Sequence, residues 1–110
     1  MKRSISVGKN LTAGVETMIY RVPVGYTAEW VLLYFHNTTA SAKDITVQWH
    51  DDTENINVAI LNEYPSPAKE YFKFNGEAKV VMDENDEVRI TTEATSSFSV
   101  ICTFNLERKA

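Results

Sequence analysis

Apolar and polar residues alternate with a period of two along much of this chain. The last and clearest run has apolar residues at Phe98, Val100, Cys102, Phe104 and Leu106. Within it, Ile101 is the single apolar residue on the opposite face. Shorter alternating runs occupy residues 45–49, 56–60 and 88–90. Because successive side chains of a β-strand point to opposite sides of a sheet, each run predicts a strand with one buried face, as in antiparallel sheets.

Turn-forming residues separate these runs at short intervals. Val22-Pro23-Val24-Gly25 fits a type I turn, with Pro at the second position and Gly at the fourth. Asn75-Gly76 predicts a tight hairpin, because both residues tolerate a positive φ angle. Tight connections are also predicted at residues 51–53 and 83–86, and a longer, proline-stiffened loop at residues 64–67. The spacing predicts an all-β fold of about eight strands, a sandwich or a barrel, and we favour the antiparallel β-sandwich.

Residues 30–35 depart from the alternation, because they are apolar on both faces. They read Trp-Val-Leu-Leu-Tyr-Phe and end at the turn-prone His36-Asn37-Thr38-Thr39. A fully buried helix has a similar composition, but a short run rich in aromatic residues favours a strand. A central strand has this pattern, and so does a strand whose outer face meets another subunit. Residues 30–35 are therefore the predicted partner contact.

Length, charge and cysteine content limit the classes of protein that fit. With 110 residues there is room for one domain, residues 1–110, with short flexible ends at about 1–10 and 107–110. A net charge of −4, without a basic run among aromatic residues, argues against a nucleic-acid partner. No segment approaches the roughly 20 apolar residues of a membrane span, and no signal peptide is present, so we expect no membrane contact. The single cysteine excludes an internal disulfide and fits synthesis in a reducing cytoplasm.

Two polar clusters are candidate cation sites. His50-Asp51-Asp52, with His36 elsewhere, offers ligands for a divalent cation, although a polar hairpin turn explains it better. Oxygen ligands of the kind that calcium prefers crowd one turn at Asp83, Glu84, Asp86 and Glu87. Their spacing departs from the EF-hand pattern and favours a solvated acidic turn. We therefore expect neither a metal nor a cofactor.

Nucleophilic catalysis has no support in the sequence. Cys102 lies on the apolar face of the last strand, where a thiol behaves as a small hydrophobic group with a raised pKa. Neither a Gly-x-Ser-x-Gly elbow nor a phosphate-binding glycine-rich loop is present. We expect a protein without enzymatic activity and without catalytic residues.

Aromatic residues near the predicted turns and strand ends are candidates for ligand contact. They are Tyr26, Tyr64, Tyr71 and Phe72. On a small sandwich such residues stack on sugars or anchor a protein interface. They also close the ends of a core, and we favour that second interpretation.

Residues 17–28, Thr-Met-Ile-Tyr-Arg-Val-Pro-Val-Gly-Tyr-Thr-Ala, resemble the start of many small phage virion proteins. Those proteins begin with a strand ending Tyr-x-Val-Pro, a turn with Gly, and a long apolar strand running into an Asn-Thr turn, as residues 29–38 do here. The similarity continues in residues 45–49 and in residues 81–88, where such proteins often carry Leu-x-x-Gly-Asp. Asn85 stands in place of that Gly, and Asn is the next most tolerant residue for a left-handed turn.

The resemblance spans residues 11–104 and implies a jelly-roll-like sandwich in a tailed-phage particle. It implies a non-enzymatic capsid decoration or cement protein that forms a homotrimer and contacts the major capsid protein or other virion proteins. A tail or adaptor component is the alternative within that set, and a carbohydrate-binding module is the alternative outside it. The implied location is the virion, after synthesis in the host cytoplasm.

Overall fold

Eight strands make up the fold in the computed structural model, which describes residues 2–109, without the side chains of residues 2 and 75–79. The strands are β1 (Lys2–Asn10), β2 (Thr17–Arg21), β3 (Tyr26–Asn37), β4 (Lys43–Asp51), β5 (Ile56–Ser66), β6 (Tyr71–Met82), β7 (Glu87–Thr92) and β8 (Phe98–Arg108). Most of the connections contain Gly, Pro, Asn or Asp, so local turn chemistry accounts for where the strands end.

The strands form two antiparallel sheets of four strands each, packed face to face. The first sheet has the order β1-β8-β3-β6, and the second has the order β2-β7-β4-β5. Among consecutive described strands, only β4 and β5 are neighbours in one sheet. Each of the remaining connections crosses from one sheet to the other. This connectivity is that of a jelly roll. The predicted all-β, antiparallel, jelly-roll-like sandwich is confirmed.

The core lies between the sheets and consists of alternating inward side chains. Phe35 is fully buried, stacks on Phe72 with ring centroids 4.9 Å apart, and meets Phe98 edge-on at 6.0 Å. Tyr20 of β2 stacks on Phe104 of β8 at 4.5 Å, which joins the two sheets. The predicted buried face of the last strand is confirmed, with burial at Phe98, Val100, Cys102, Phe104 and Leu106.

Residues 30–35 lie in β3, between β8 and β6 in the first sheet. The register of β3 with both neighbours shifts between Trp30 and Leu32, so Val31 is an extra residue, a β-bulge. The bulge changes the inward-facing positions from even to odd numbers, with burial at Ala28, Trp30, Leu33 and Phe35. The apolar run therefore reflects a central strand whose parity changes, and the prediction of a strand rather than a helix is confirmed.

The hairpin predicted at Asn75-Gly76 is wrong, because β6 runs without interruption from Tyr71 to Met82. The register of β6 with β3 shifts opposite the Val31 bulge, where residues 76–79 intervene between two paired stretches. An edge strand tolerates such a register shift, because only one of its sides must maintain a hydrogen-bonded ladder.

Two other segments are more ordered than the sequence predicted. Tyr64 to Ser66, expected in a loop, extend β5 and pair with β4. Pro65 has no N–H group to donate. This costs no hydrogen bond on the free side of β5, because β5 is an edge strand and has no neighbouring strand there. Residues 2–10, expected as a flexible end, form β1 and pair with β8 along their whole length.

The turn between β2 and β3 has a different geometry from the one predicted. Its hydrogen bond runs from Tyr26 N to Pro23 O at 3.2 Å, so the turn begins at Pro23. Gly25 then occupies the third position with a φ of 88°, which is typical of a type II turn and explains the glycine there. The tight turn at residues 83–86 is confirmed, with Asn85 in the left-handed region at a φ of 69°.

Candidate functional site

The acidic turn between β6 and β7 is built around the buried carboxylate of Asp86. The Asp86 carboxylate accepts hydrogen bonds from Trp49 Nε1 at 3.2 Å and from the backbone N–H groups of Asp52 and Asp83, each at 3.0 Å. These bonds join the turn to the β4–β5 connection. Asp86 is therefore committed to holding two turns together.

The exposed carboxylates of this turn are also engaged. Lys109 Nζ lies 2.6 Å from Asp83 and 3.3 Å from Glu84, and Glu84 accepts a hydrogen bond from Gly25 N at 3.0 Å. The hydrogen bond from Lys109 holds the pKa of Asp83 below its usual value, and the bond from Gly25 does the same for the pKa of Glu84. The turn is solvent-exposed at Asp83 and Glu84, as the sequence favoured, and its carboxylates also hold the segment that follows β8 through intramolecular bonds.

Glu87 is the centre of a charged network on the outer face of the second sheet. Its carboxylate accepts bonds from Arg21 at 2.5 Å and from Arg89 at 2.8 Å. Burial raises the pKa of Glu87, but the hydrogen bonds and charges of Arg89 and Arg21 outweigh it, so the pKa lies below its usual value. Arg89 also bonds to Asn57, which contacts His50 Nδ1 at 2.7 Å. The network therefore crosses all four strands of the second sheet.

The two histidines considered as metal ligands lie in different sheets. His36 is in β3 of the first sheet, and His50 is in β4 of the second, beside Asn57. Asp51 accepts a hydrogen bond from Thr53 N at 3.1 Å and organises the β4–β5 turn, as the polar-turn interpretation predicted. Among the side chains that the structure describes, no group of three or more His, Cys, Asp or Glu residues is placed to hold a metal ion.

Cys102 is fully buried in β8. Burial raises the pKa of its thiol to about 12, although a contact with Trp30 acts in the opposite direction. A thiol with so little thiolate at neutral pH is a poor nucleophile, and the predicted role as a small core residue is confirmed.

The candidate aromatic residues separate into core and surface groups. Phe72 and Tyr64 pack against Phe35, the latter edge-on at 6.2 Å, and close the core. Tyr26 is half-buried beneath the Arg108 guanidinium, 5.7 Å from its ring centroid. Tyr71 is different, because 64% of its surface is exposed.

Exposed apolar side chains give the two outer faces different characters. On the first sheet, Tyr71 stacks on the half-buried Tyr34 at 5.7 Å, next to the exposed Ile101, which pairs with Tyr34 across β3 and β8. Val81, 65% exposed, lies farther along the same face on β6. On the second sheet, the facing pairs Thr46–Thr91 and Gln48–Arg89 are polar. The Tyr34–Tyr71–Ile101 cluster, hereafter the aromatic patch, is the best candidate contact surface on a face. Ile101 already stood out in the sequence as an apolar exception, whereas the pairing of Tyr34 with Tyr71 required the register of β3 and β6.

The described residues contain no helix that could cross a membrane.

Comparison with known proteins identifies similar folds but no family. The sequence matches no protein-family model and no curated protein. The structure resembles a Bacillus endospore appendage, described as a disulfide-linked pilus, with a TM-score of 0.54 and 14% identity over 100% of this chain and 88% of that one. It also resembles the VP2 subviral particle of infectious bursal disease virus, with a TM-score of 0.52 and 11% identity over 99% of this chain.

A structure of the Gx strain of infectious bursal disease virus gives the same TM-score of 0.52, with 10% identity over 98% of this chain. This chain spans 32% of that viral chain and 38% of the VP2 chain, so the likeness is to one part of each. At these identities the similarity demonstrates a shared fold, which is the jelly roll.

Proposed function

We propose that this protein is a non-enzymatic virion structural protein that binds an assembled capsid shell and stabilises it, as a decoration or cement protein does. It acts as a homotrimer that contacts the major capsid protein of a tailed phage. The observation that carries the proposal is the contrast between its faces. The first sheet presents the aromatic patch to solvent, whereas the second presents a network of charged and polar side chains, with Met18 as an isolated exposed apolar residue beside it.

The fold comparisons support an assembly role. Two of the similar structures are named as a pilus and a viral subviral particle, both of which are built from many copies of a protein. A disulfide-linked assembly does not suit this chain, because its single cysteine is buried in the core. We infer that contacts between copies or with a shell form without a disulfide, and repetition over many copies would supply avidity without one strong site.

The chemistry of the described side chains supports a role without catalysis. Asp86, Glu87 and Cys102 are the groups best suited to chemistry by burial, and each is committed to packing or to an intramolecular bond. A shell-binding protein needs a rigid fold with a presented surface, and such internal commitments provide the rigidity.

The test is binding to preassembled shells of the same virus. The protein should co-sediment with shells, saturate at a fixed number of copies, and raise the temperature at which the shells lose their contents. Tyr71→Ala should weaken binding without changing the fold, and Met18→Ala, which removes an exposed apolar side chain from the other sheet, is the matched control. A strictly monomeric protein that fails to bind shells would contradict the proposal.

The position of the protein within the virion distinguishes a head protein from a tail or adaptor component. Antibody-labelled electron micrographs of purified virions should show label distributed over the head. Label confined to the tail or to the neck would favour the tail or adaptor alternative. The proposals of a trimer and of the aromatic patch as the contact surface would still stand.

A carbohydrate-binding role is favoured by one observation, the exposed ring of Tyr71, which is held in place by stacking on Tyr34. Aromatic rings presented in this way can stack on sugar rings. A glycan array would separate the two functions: saturable glycan binding that Tyr71→Ala abolishes would favour the carbohydrate alternative, whereas shell binding on an otherwise silent array favours the structural role.

A further inference from the structure

β1 is an edge strand that lacks the features that interrupt the other edges of the sandwich. β2 has only five residues and a register shift, and β5 carries Pro65, further register shifts and Glu63 at a φ of 50°. The pairing of β6 with β3 is interrupted at residues 76–79, opposite the Val31 bulge. Irregularities of this kind prevent another chain from pairing with an exposed edge. β1 pairs with β8 over residues 2–10 in one unbroken register.

The free edge of β1 can be assigned residue by residue. Leu11 N donates to Phe98 O at 3.0 Å, and this pair continues the β1–β8 register. Because bonded and non-bonded pairs alternate in an antiparallel ladder, odd-numbered residues of β1 bond to β8. The even-numbered residues Ser4, Ser6 and Gly8 therefore direct their N–H and C=O groups away from β8. Among the described strands, none pairs with this side of β1.

Gly8 keeps the surface beside this edge open. A Cβ at this position would lie 3.8 Å from Val100 O and 4.0 Å from Ile101 Cγ1, which are ordinary contacts. Neither its own fold nor a positive φ angle requires glycine there. A glycine inside a strand often marks a place where another backbone approaches closely.

The side chains of β1 specify the sequence of a strand added to this edge. Arg3, Ile5, Val7 and Lys9 lie at the positions where side chains of the two strands would be closest. Ile5 and Val7 are half-buried against the core, and Arg3 and Lys9 are exposed at either end. The complementary strand has apolar residues opposite Ile5 and Val7 and carboxylates opposite Arg3 and Lys9.

A second copy of β1 does not fit this description. Antiparallel self-pairing along the full strand, centred on Ser6, would place Arg3 opposite Lys9 twice. Like charges directly opposite each other destabilise a strand pair. The residues of β1 include no Asp or Glu that could relieve this repulsion.

We propose that the free edge of β1 binds an extended segment of a partner protein by antiparallel strand addition. The segment has the pattern acidic-x-apolar-x-apolar-x-acidic, with polar residues at x. This inference rests on the proposed function and deepens it by assigning a second contact with the shell, in addition to the aromatic patch, but the site can be tested without a shell. Backbone hydrogen bonds supply affinity in this mode of recognition, and the alternate side chains supply specificity.

The test uses two labelled peptides, Ser-Glu-Thr-Val-Thr-Val-Thr-Glu-Ser and the same sequence with Lys in place of both Glu residues. Fluorescence anisotropy should show saturable binding of the Glu peptide and binding of the Lys peptide weaker by about tenfold or more. The double variant Arg3→Glu/Lys9→Glu should reverse that preference. Equal binding of both peptides by the unmodified protein, or no binding, would overturn the proposal.

Ser6→Pro tests the backbone contact, because it removes an N–H on the free edge and leaves the bonds to β8 intact. It should weaken binding of the Glu peptide by about tenfold, whereas Ser6→Ala, which loses the same contact with Thr103 Oγ1, should bind as the unmodified protein does. Thermal melts of both variants establish that they are folded. If the two variants bind alike, the edge is not the site.

Hydrogen exchange tests the site without any substitution. In the free protein, the amides of Ser4, Ser6 and Gly8 should exchange quickly, and those of Ile5, Val7 and Lys9 slowly. The Glu peptide should protect the first group alone. Uniform protection would contradict strand addition, and self-association that Ser6→Pro abolishes would identify a second copy as the occupant instead. Shell binding that survives Ser6→Pro would overturn the edge as the shell contact while leaving the proposed function standing.

Discussion

Trp49 donates its indole Nε1–H to the carboxylate of Asp86 across 3.2 Å, and this bond joins β4 to the turn between β6 and β7. The same carboxylate accepts two backbone N–H groups, from Asp52 and Asp83. One buried side chain thus fixes two turns at the same end of the sandwich. Satisfied buried groups of this kind are costly to alter, because every donor loses its partner at once.

Asp86→Ala should therefore destabilise the protein strongly. We expect the free energy of unfolding to fall by about 2–4 kcal/mol, since three donors lose a buried, charged acceptor. Urea unfolding followed by tryptophan fluorescence measures the change. Asp83→Ala is the matched control in the same turn, and the loss of its exposed contact with Lys109 should have a much smaller effect. Equal effects of the two substitutions would show that Asp86 does not hold the turns together.

Stability should depend on pH through Glu87. Its pKa in the folded protein lies below the ordinary value of 4.5, so the unfolded chain binds the proton more readily. The stabilisation is then fully present above pH 4.5 and is lost as the pH falls through the folded pKa. Glu87→Gln should cost about 1–2 kcal/mol at pH 7, and the difference from the unmodified protein should shrink below pH 4.5.

Glu93→Gln provides the control for this titration. Glu93 contacts Lys43 at 3.6 Å with 44% of its side chain exposed, so its removal should change stability little at any pH. Denaturation curves in urea between pH 3 and pH 7 give both profiles. A constant difference between Glu87→Gln and the unmodified protein would exclude the linkage.

Phe35 and Tyr71 offer a matched pair of aromatic substitutions in the first sheet. Phe35→Ala removes a fully buried ring that contacts Phe72, Phe98 and Tyr64, and it should cost about 3–5 kcal/mol. Tyr71→Ala removes an exposed ring and should cost less than about 1 kcal/mol. Thermal unfolding checks both values, and a large loss for Tyr71→Ala would show that the aromatic patch serves the fold rather than a partner.

Cys102 should resist thiol reagents in the folded protein. With a pKa of about 12 and no exposed surface, its reaction with a disulfide reagent at pH 8 should be slower than in denaturant by a factor on the order of 100 or more. The absorbance of the chromophore that the disulfide reagent releases measures the rate of this reaction. Rapid, stoichiometric reaction of the native protein would mean that β8 opens readily.

The alternation and the turn residues predict much of this fold without reference to any tertiary contact. A strand exposes alternate side chains to opposite environments, so the run from Phe98 to Leu106 already identified a buried face. A tight turn at residues 83–86 was predicted because Asp and Asn favour turns through hydrogen bonds to their own backbone. These features depend on neighbours in the sequence, and local chemistry therefore predicted them.

The candidate chemistry depended on distance in three dimensions. His36 and His50 could be considered together in the sequence, yet the topology places them in different sheets. The carboxylates around Asp86 suggested a calcium loop, and only the tertiary structure brought Trp49 and Lys109 to them. Arg21 and Glu87 are far apart in the chain, and the pairing of β2 with β7 makes them neighbours.

The sequence by itself determined that this protein is an antiparallel β-sandwich with little to support catalysis. Only the tertiary structure decided why residues 30–35 are apolar on both faces: the Val31 bulge, closed by a bond from Trp30 Nε1 to Leu32 O at 2.9 Å, reverses the parity of a central strand. It also decided that Ser4 to Gly8 belong to an open edge. An edge is defined by which strands pair and which do not, and pairing between distant segments follows from packing rather than from local preference.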